Sequence, residues 1–152
     1  MSKTTVFTGT GVAIVTPMNQ DGSVNFEKFR ELVEWQIENG IEAIIACGTT
    51  GEASTLDDDE HIAVIKAAIE QAKGRVPVIA GTGSNDTSYC VDLSLKAKEL
   101  GSDALLIVTP YYNKTSQRGL IAHYSMVANE VKMPIILYNV PSRTALDIKP
   151  ET

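Results

Sequence analysis

The feature that most constrains the fold is a regular alternation of continuous apolar segments with amphipathic segments. Five short apolar segments rich in Val and Ile are separated by four longer ones in which apolar residues recur at helical spacing. Apolar runs without polar alternation are typical of strands that are buried on both faces. When such strands alternate with helices, they form a parallel sheet covered by helices, so the sequence predicts an α/β fold.

Capping and turn residues set the boundaries of these segments. Asn25 can cap the first helix and Gly40 can end it. An acidic run at 57–60 suits the first turn of the second helix, because the N-terminus of a helix carries partial positive charge. The predicted strands are 10–17, 41–47, 76–80, 104–109 and 135–138, and the predicted helices are 25–39, 57–74, 86–100 and 116–131.

An internal repeat indicates how the strands are arranged. Residues 39–45 resemble residues 100–106, and residues 75–79 resemble residues 132–136. A repeated βαβα block favours a (β/α)8 barrel over a doubly wound sheet, and a full barrel takes about 250 residues. Since the chain has four βα units and a fifth strand, we expect residues 1–152 to form the N-terminal part of a single barrel domain.

Charge and composition argue against several classes of partner. The formal net charge of −6 disfavours nucleic acid and anionic membrane surfaces. The first apolar stretch, near residues 11–15, is too short to span a bilayer. The N-terminus lacks a secretory signal pattern, so we expect a cytoplasmic protein. Cys47 and Cys90 have no metal-ligand spacing and are interpreted as small buried apolar residues.

Polar residues follow the predicted strands, at the end where parallel barrels carry their active sites. Hydroxyl groups dominate this set, with one cation: Thr16, Thr49, Thr50, Thr82, Tyr111, Tyr112, Tyr138 and Arg143. A Ser-His-Asp hydrolase needs an imidazole base, and a metal site needs clustered His, Cys or carboxylate groups. Because His61 and His123 fall within predicted helices, we interpret both as ordinary helix residues and expect neither kind of site.

The Gly-Thr-Thr-Gly-Glu segment at 48–52 indicates what the strand ends bind. Its glycines allow the backbone to approach a ligand, and its N–H groups can hold a carboxylate or phosphate. The alternative is a plain glycine-rich turn between a strand and a helix. Hydroxyl groups can pass protons, and Arg143 can bind a carboxylate through two hydrogen bonds. Together these residues predict a small carboxylate ligand that undergoes proton transfers.

Three motifs at the strand ends resemble the signatures of the dihydrodipicolinate synthase (4-hydroxy-tetrahydrodipicolinate synthase) family of pyruvate-dependent class I aldolases. They are Gly-Thr-Thr-Gly-Glu at 48–52, Pro-Tyr-Tyr-Asn at 110–113 and Tyr-Asn-Val-Pro-Ser-Arg-Thr at 138–144. The resemblance covers the whole chain. Sister enzymes such as N-acetylneuraminate lyase share the barrel, but they more often carry a serine before the second threonine and lack the tyrosine pair.

The resemblance implies an activity and partners. The expected reaction condenses pyruvate with L-aspartate 4-semialdehyde in lysine biosynthesis, through a Schiff base on a lysine and with no other cofactor and no metal. The expected assembly is a homo-oligomer, a dimer of dimers. Two alternatives are a catalytically inactive half-barrel and a sister aldolase acting on a sugar acid. The matches at Tyr112 and Arg143 favour the synthase over the sugar-acid aldolase.

The resemblance also assigns roles in proton transfer. Tyr138 would be the proton donor and acceptor near the imine. Thr49 would relay protons between Tyr138 and Tyr112, and Tyr112 would reach into the site of a neighbouring subunit. Tyr111 is expected to pack at the same subunit interface.

Substrate binding falls to other residues of the same motifs. By the resemblance, Thr49 and Thr50 would hold the pyruvate carboxylate, and Arg143 would bind the semialdehyde carboxylate. The sequence departs from the family at Ala145, where a glycine usually follows the Ser-Arg-Thr run.

The nucleophile is expected elsewhere. The Schiff-base lysine of the family stands at the end of the sixth strand, which places it beyond residue 152. The lysines from Lys66 to Lys149 fall on predicted helices, in loops or at helix ends, and we interpret them as solvated surface charges.

The resemblance extends to a regulatory pocket. Family members inhibited by lysine carry histidines after the Thr-Thr motif and a glutamate on the third helix. Asp58, His61 and Tyr89 occupy these positions here, while Asn85 and Tyr111 match. Tyr89 thus replaces the glutamate that would pair with the lysine ammonium group. Because burying an unpaired ammonium is costly, we expect weak inhibition by lysine or none.

Overall fold

A computed structural model describes residues 5–152 as one parallel sheet with helices. The strands are β1 (Gly11–Ala13), β2 (Ala43–Ala46), β3 (Val78–Gly81), β4 (Ala104–Val108) and β5 (Ile135–Tyr138). The helices are α1 (Phe26–Glu38), α2 (Asp58–Ala72), α3 (Thr87–Leu100), α4 (Gln117–Val131) and the one-turn α5 (Pro141–Thr144), with a 3-10 turn at Ala53–Thr55. No helix in residues 5–152 is both long and apolar enough to cross a membrane.

The strand order distinguishes a barrel from a doubly wound sheet. The five strands pair in the order β1-β2-β3-β4-β5, and all four pairings are parallel. A doubly wound sheet reverses its strand order partway through, whereas a barrel proceeds in one direction. The sheet is therefore half of a (β/α)8 barrel, as the internal repeat predicted.

Alternate residues of the central strands face two different environments. Side chains on the outer face, including Ile44, Val78 and Leu105, pack in one large core with the helices. Those on the inner face, including Ala43 and Ile79, form a smaller cluster with Ala104 and the half-buried Phe7. Because successive side chains on a strand point to opposite faces, one apolar run supplies both cores.

The predicted caps are confirmed. The side-chain oxygen of Asn25 accepts a hydrogen bond from the Lys28 N–H at 2.9 Å. At the start of α2, Asp57 accepts from the Glu60 N–H at 2.8 Å, and Glu60 accepts from the Asp57 N–H at 3.3 Å. The acidic run thus forms a reciprocal capping box, which adds to the favourable interaction with the helix dipole.

Three strand predictions were wrong in extent by two or more residues. The second strand was predicted at 41–47, but β2 is Ala43–Ala46. The first strand was predicted at 10–17, but β1 has only three residues, and Val15 beyond it is 48% exposed. An edge strand has a neighbour on one side only, so fewer residues are held in the sheet. The third strand begins at Val78 rather than residue 76, after Pro77, which has no N–H to donate. The outer strands β1 and β5 are also not buried on both faces.

The two outer edges of the sheet should promote self-association of this chain. The outer edges of β1 and β5 have no strand partner within residues 5–152, and Leu137 on β5 is 50% exposed. Unpaired edges with exposed apolar side chains promote association. We expect sedimentation velocity to show oligomers whose fraction rises with concentration, and Leu137→Lys to lower that fraction. A monodisperse monomer at all concentrations would contradict this.

Ala145 adopts a backbone conformation that favours glycine. Its φ is 52°, in the left-handed region, and its N–H closes α5 on the Pro141 carbonyl at 2.8 Å. The left-handed conformation costs an L-residue about 1–2 kcal/mol. Ala145→Gly should therefore raise the free energy of unfolding by about 1 kcal/mol in urea titrations.

A matched change has the opposite expected sign. Ala128 is an exposed residue within α4, so Ala128→Gly should lower the free energy of unfolding by about 0.5–1 kcal/mol. Equal losses from both substitutions would show that the left-handed backbone at Ala145 carries no strain.

Candidate active site

The Gly-Thr-Thr-Gly-Glu turn leaves the C-terminal end of β2 through unusual backbone. Cys47 precedes the turn and Glu52 ends it, with φ values of 56° and 55°, both in the left-handed region. Within the turn, the Gly51 N–H donates to the Gly48 carbonyl at 3.1 Å. A Cβ added at Gly81 would overlap the Cys47 carbonyl, so glycine at the end of β3 permits this path.

The turn presents two threonines with free donors. Thr49 and Thr50 are exposed, and neither their N–H groups nor their hydroxyls donate a hydrogen bond within residues 5–152. Adjacent N–H groups in a turn form an anion-binding concavity, and hydroxyls add further donors. The turn therefore offers a set of free donors of the kind that suits a carboxylate.

One cavity of about 290 Å³ lies beside this turn, at the C-terminal ends of the strands. Thr49, Tyr138 and Tyr111 all line it, although Thr49 follows β2, Tyr138 is the last residue of β5 and Tyr111 follows β4. The main-chain carbonyl of Tyr138 accepts from the Thr109 N–H at 3.3 Å, which holds the end of β5 beside β4. The structure thus brings three of the predicted site residues together.

Three other predicted site residues do not line this cavity: Thr50, Tyr112 and Arg143. Tyr112 is 90% exposed and has a φ of 60°, so it projects away from the core from a left-handed backbone. The predicted relay of Tyr138, Thr49 and Tyr112 is therefore not assembled around one cavity in a single chain.

Arg143 is carried by α5, just beyond β5. Pro141 begins this helical turn, and the buried Thr144 ties it down by donating its hydroxyl to the Leu146 carbonyl at 3.0 Å. The Arg143 side chain is exposed and forms no salt bridge within the described part of the chain. A fixed backbone with a free guanidinium is suited to binding a carboxylate.

His61 has a position that helical periodicity did not reveal. It is buried and lines the cavity, and its Nε2 lies 2.8 Å from the Gly81 carbonyl, to which it donates. Burial lowers the pKa of His61, which keeps the imidazole neutral. Its one ring N–H is committed to the Gly81 carbonyl, so His61 joins α2 to the end of β3. His123 is also buried, and its Nδ1 lies 2.9 Å from the Thr87 hydroxyl.

Tyr89, which also lines this cavity, makes a second hydrogen bond between helices. The Tyr89 hydroxyl donates to the Asp58 carboxylate at 2.6 Å. That bond is the main reason why the pKa of Tyr89 rises to about 12. Tyr89 and Asp58 stand on α3 and α2, so the bond links the N-terminal turns of two neighbouring helices.

The lysines of residues 5–152 lie outside the cavity. None of the lysines in residues 5–152 lines it, and every one of them is exposed. Lys98 was predicted to be a solvated charge, but its ammonium also donates to the Val131 carbonyl at 2.6 Å and so caps α4. Nor do three or more His, Cys, Asp or Glu side chains come close enough to hold a metal ion in this part of the chain.

Comparison with known proteins gives a consistent result. A family model described as the dihydrodipicolinate synthetase family matches residues 6–152. The chain is 62% identical over 147 residues to a 4-hydroxy-tetrahydrodipicolinate synthase of Geobacter metallireducens and 59% identical over 147 residues to one of Acetivibrio thermocellus. Each alignment covers 97% of this chain and 50% of the relative, so the chain spans about half the length of these relatives.

A solved structure shows the same relationship. The chloride-inhibited dihydrodipicolinate synthase from Acinetobacter baumannii, crystallised in complex with pyruvate, superposes on this chain with a TM-score of 0.94 and 53% sequence identity. The superposition covers 97% of this chain and 50% of that one. The half-barrel therefore corresponds to half of a chain in that structure.

Proposed function

Because the chain belongs to the dihydrodipicolinate synthetase family, we propose that it supplies the N-terminal half of a pyruvate-dependent synthase. In this proposal residues 1–152 are part of a single (β/α)8 barrel domain. The protein that contains the whole of that domain is here termed the complete barrel. The reaction condenses pyruvate with L-aspartate 4-semialdehyde. The observation that carries the proposal is that Thr49 and Tyr138 line one cavity at the C-terminal ends of the strands.

The Thr49-Thr50 turn binds the pyruvate carboxylate. Its free N–H groups and hydroxyls are all donors, and a carboxylate offers only acceptors, so the two sets are complementary. Charge-assisted hydrogen bonds of this kind are stronger than neutral ones. Fixing the carboxylate at this turn orients the keto carbon of pyruvate within the cavity.

Tyr138 is the general acid and base for the steps at the keto carbon. It lines the cavity together with Thr49, whose hydroxyl passes the proton onward. Tyr112 completes the relay in the active site of a neighbouring subunit, which is consistent with its 90% exposure here. Arg143 binds the carboxylate of the semialdehyde.

The nucleophile comes from outside residues 5–152. Schiff-base formation needs a lysine whose amine is unprotonated, which requires desolvation or neighbouring cations. The lysines of the described chain are exposed and do not line the cavity, so none meets this requirement. The remaining half of the complete barrel supplies the lysine, and no other cofactor is needed.

The assembly follows from Tyr112. A relay shared between subunits requires at least a dimer, and Tyr111 packs at the same contact. We place the complete barrel in the cytoplasm as a homotetramer built from two such dimers.

Turnover by the complete barrel tests this function. Purified protein should consume aspartate semialdehyde only when pyruvate is present, as followed by NMR of both substrates. Arg143→Lys keeps the charge but loses the paired donors, so it should raise the KM for the semialdehyde more than the KM for pyruvate. Consumption of a sugar acid instead would favour the sister aldolase.

Inhibition by lysine should be weak. Tyr89 occupies the Asp58 carboxylate at 2.6 Å, so this pair offers no free carboxylate to an ammonium group. We expect submillimolar lysine to leave turnover of the complete barrel nearly unchanged, because an unpaired ammonium is costly to bury. Tyr89→Glu restores a carboxylate and should increase sensitivity. Strong inhibition of the unsubstituted protein by submillimolar lysine would contradict this.

A further inference from the structure

We propose that Thr16 is a positioning residue that holds the Thr49-Thr50 pair in its carboxylate-binding geometry. It acts through a hydrogen bond to the Gly51 carbonyl. That the bound carboxylate belongs to pyruvate rests on the proposed function. The positioning of the turn rests on contacts within this chain.

Thr16 lies just beyond β1 and is 4% exposed. Its hydroxyl donates to the Gly51 carbonyl at 2.7 Å, between residues 35 positions apart in the sequence. This bond joins the segment after β1 to the turn after β2. It is the one side-chain hydrogen bond to the 48–51 backbone in the described residues.

The hydrogen bonds of Gly51 show what this bond controls. On one side, the Gly51 N–H donates to the Gly48 carbonyl at 3.1 Å, which closes the turn. On the other side, the Gly51 carbonyl accepts from Thr16. Both peptide groups that flank Gly51 are therefore fixed in direction. The carbonyl of Thr50 belongs to the same peptide group as the Gly51 N–H. The orientation of Thr50 and of its free donors therefore depends on these two hydrogen bonds.

The turn packs closely against the segment that follows β1. A Cβ at Gly51 would lie 3.1 Å from the Ile14 carbonyl and 3.3 Å from the Thr16 hydroxyl, so the turn rests directly on the chain after β1. Because Gly51 is buried, its carbonyl would lose its partner if the Thr16 hydroxyl were removed. The turn would then move to regain a hydrogen bond, and the donors of Thr49 and Thr50 would move with it.

Thr82 provides a matched control. It stands at the end of β3, is fully buried, and shares a hydrogen bond of 2.8 Å with the Ser94 hydroxyl of α3. Thr82→Val therefore removes a buried threonine hydroxyl just after β3, as Thr16→Val does just after β1. Both strands are neighbours of β2, which leads into the turn. Only the Thr16 substitution removes a bond to the turn.

Kinetics of the complete barrel give the first test. Thr16→Val should raise the KM for pyruvate about tenfold and change kcat less than about twofold, because contacts to the carboxylate persist from ground state to transition state. Thr16→Ser keeps the hydroxyl and should restore the KM. Thr82→Val should leave the KM for pyruvate unchanged. An unchanged KM in folded Thr16→Val would overturn the proposal.

NMR of this chain gives a test that does not depend on the proposed function. Thr16→Val should shift the amide resonances of Thr49 and Thr50 and speed hydrogen exchange at Gly51, whereas Thr82→Val should do neither. If the complete barrel does not turn over pyruvate, the proposed function is wrong. The positioning role of Thr16 is then tested by these amide resonances alone. If Thr16→Val does not fold, Thr16→Ala is measured by the same comparison. Unshifted Thr49 and Thr50 amides would contradict the proposal.

Discussion

Replacing Tyr138 by phenylalanine in the complete barrel is expected to lower kcat by about two to four orders of magnitude, the usual loss when a general acid–base group is removed. Tyr138 ends β5 and lines the cavity that also contains Thr49. Phenylalanine keeps the ring and removes only the hydroxyl, so packing at the strand end should persist. The turn that we propose to bind the carboxylate is untouched, so the KM for pyruvate should change far less than kcat.

A second tyrosine serves as the control for this substitution. Tyr124 lies on α4, away from the cavity, and its hydroxyl makes one long contact of 3.4 Å to the Ile107 carbonyl. Tyr124→Phe should leave kcat within about twofold of the unsubstituted protein. Equal kcat values for the two variants would show that the Tyr138 hydroxyl carries no proton in the rate-determining step.

The sequence predicted the fold because its signals were local and repeated. Apolar runs, caps such as Asn25 and the Asp57–Glu60 pair, and terminating glycines all act within a few residues. The strand order then followed from the repeat. The length of β1 was overestimated because Val15 is apolar in sequence but exposed in the structure, at an edge that local patterns do not identify.

The candidate site was predicted less completely. Thr49 and Tyr138 stand at strand ends, so a parallel sheet brings them together and the sequence could place them. The contacts that hold the turn could not be foreseen, because they join residues far apart in the chain. His61 bonds to Gly81, 20 residues away, and Thr16 bonds to Gly51, 35 residues away.

Backbone strain was equally hidden from the sequence. Cys47 has a φ of 56° although it is neither glycine nor asparagine, and the close approach of Gly81 permits this path. A run of apolar residues that ends in cysteine predicts a strand but not a left-handed exit from it. The departure at Ala145 was visible, and its backbone does adopt a conformation that favours glycine.

Covalent trapping of pyruvate has the second large expected effect. A lysine in water has a pKa of about 10.4 and is almost fully protonated at neutral pH, so it forms imines poorly. The lysines of residues 5–152 are exposed and lie outside the cavity. Pyruvate and borohydride should therefore leave this chain without a specific adduct, while the complete barrel should gain one pyruvyl group per chain.

This trapping experiment, read by peptide mass spectrometry, is the most direct test that the chain supplies the proton-transfer residues and the carboxylate site but not the nucleophile. The complete barrel, treated in parallel, shows that the trapping conditions work. We expect one modified lysine in the complete barrel, at a position outside residues 1–152. A pyruvyl group trapped on a lysine within residues 1–152, at a rate matching turnover, would contradict it.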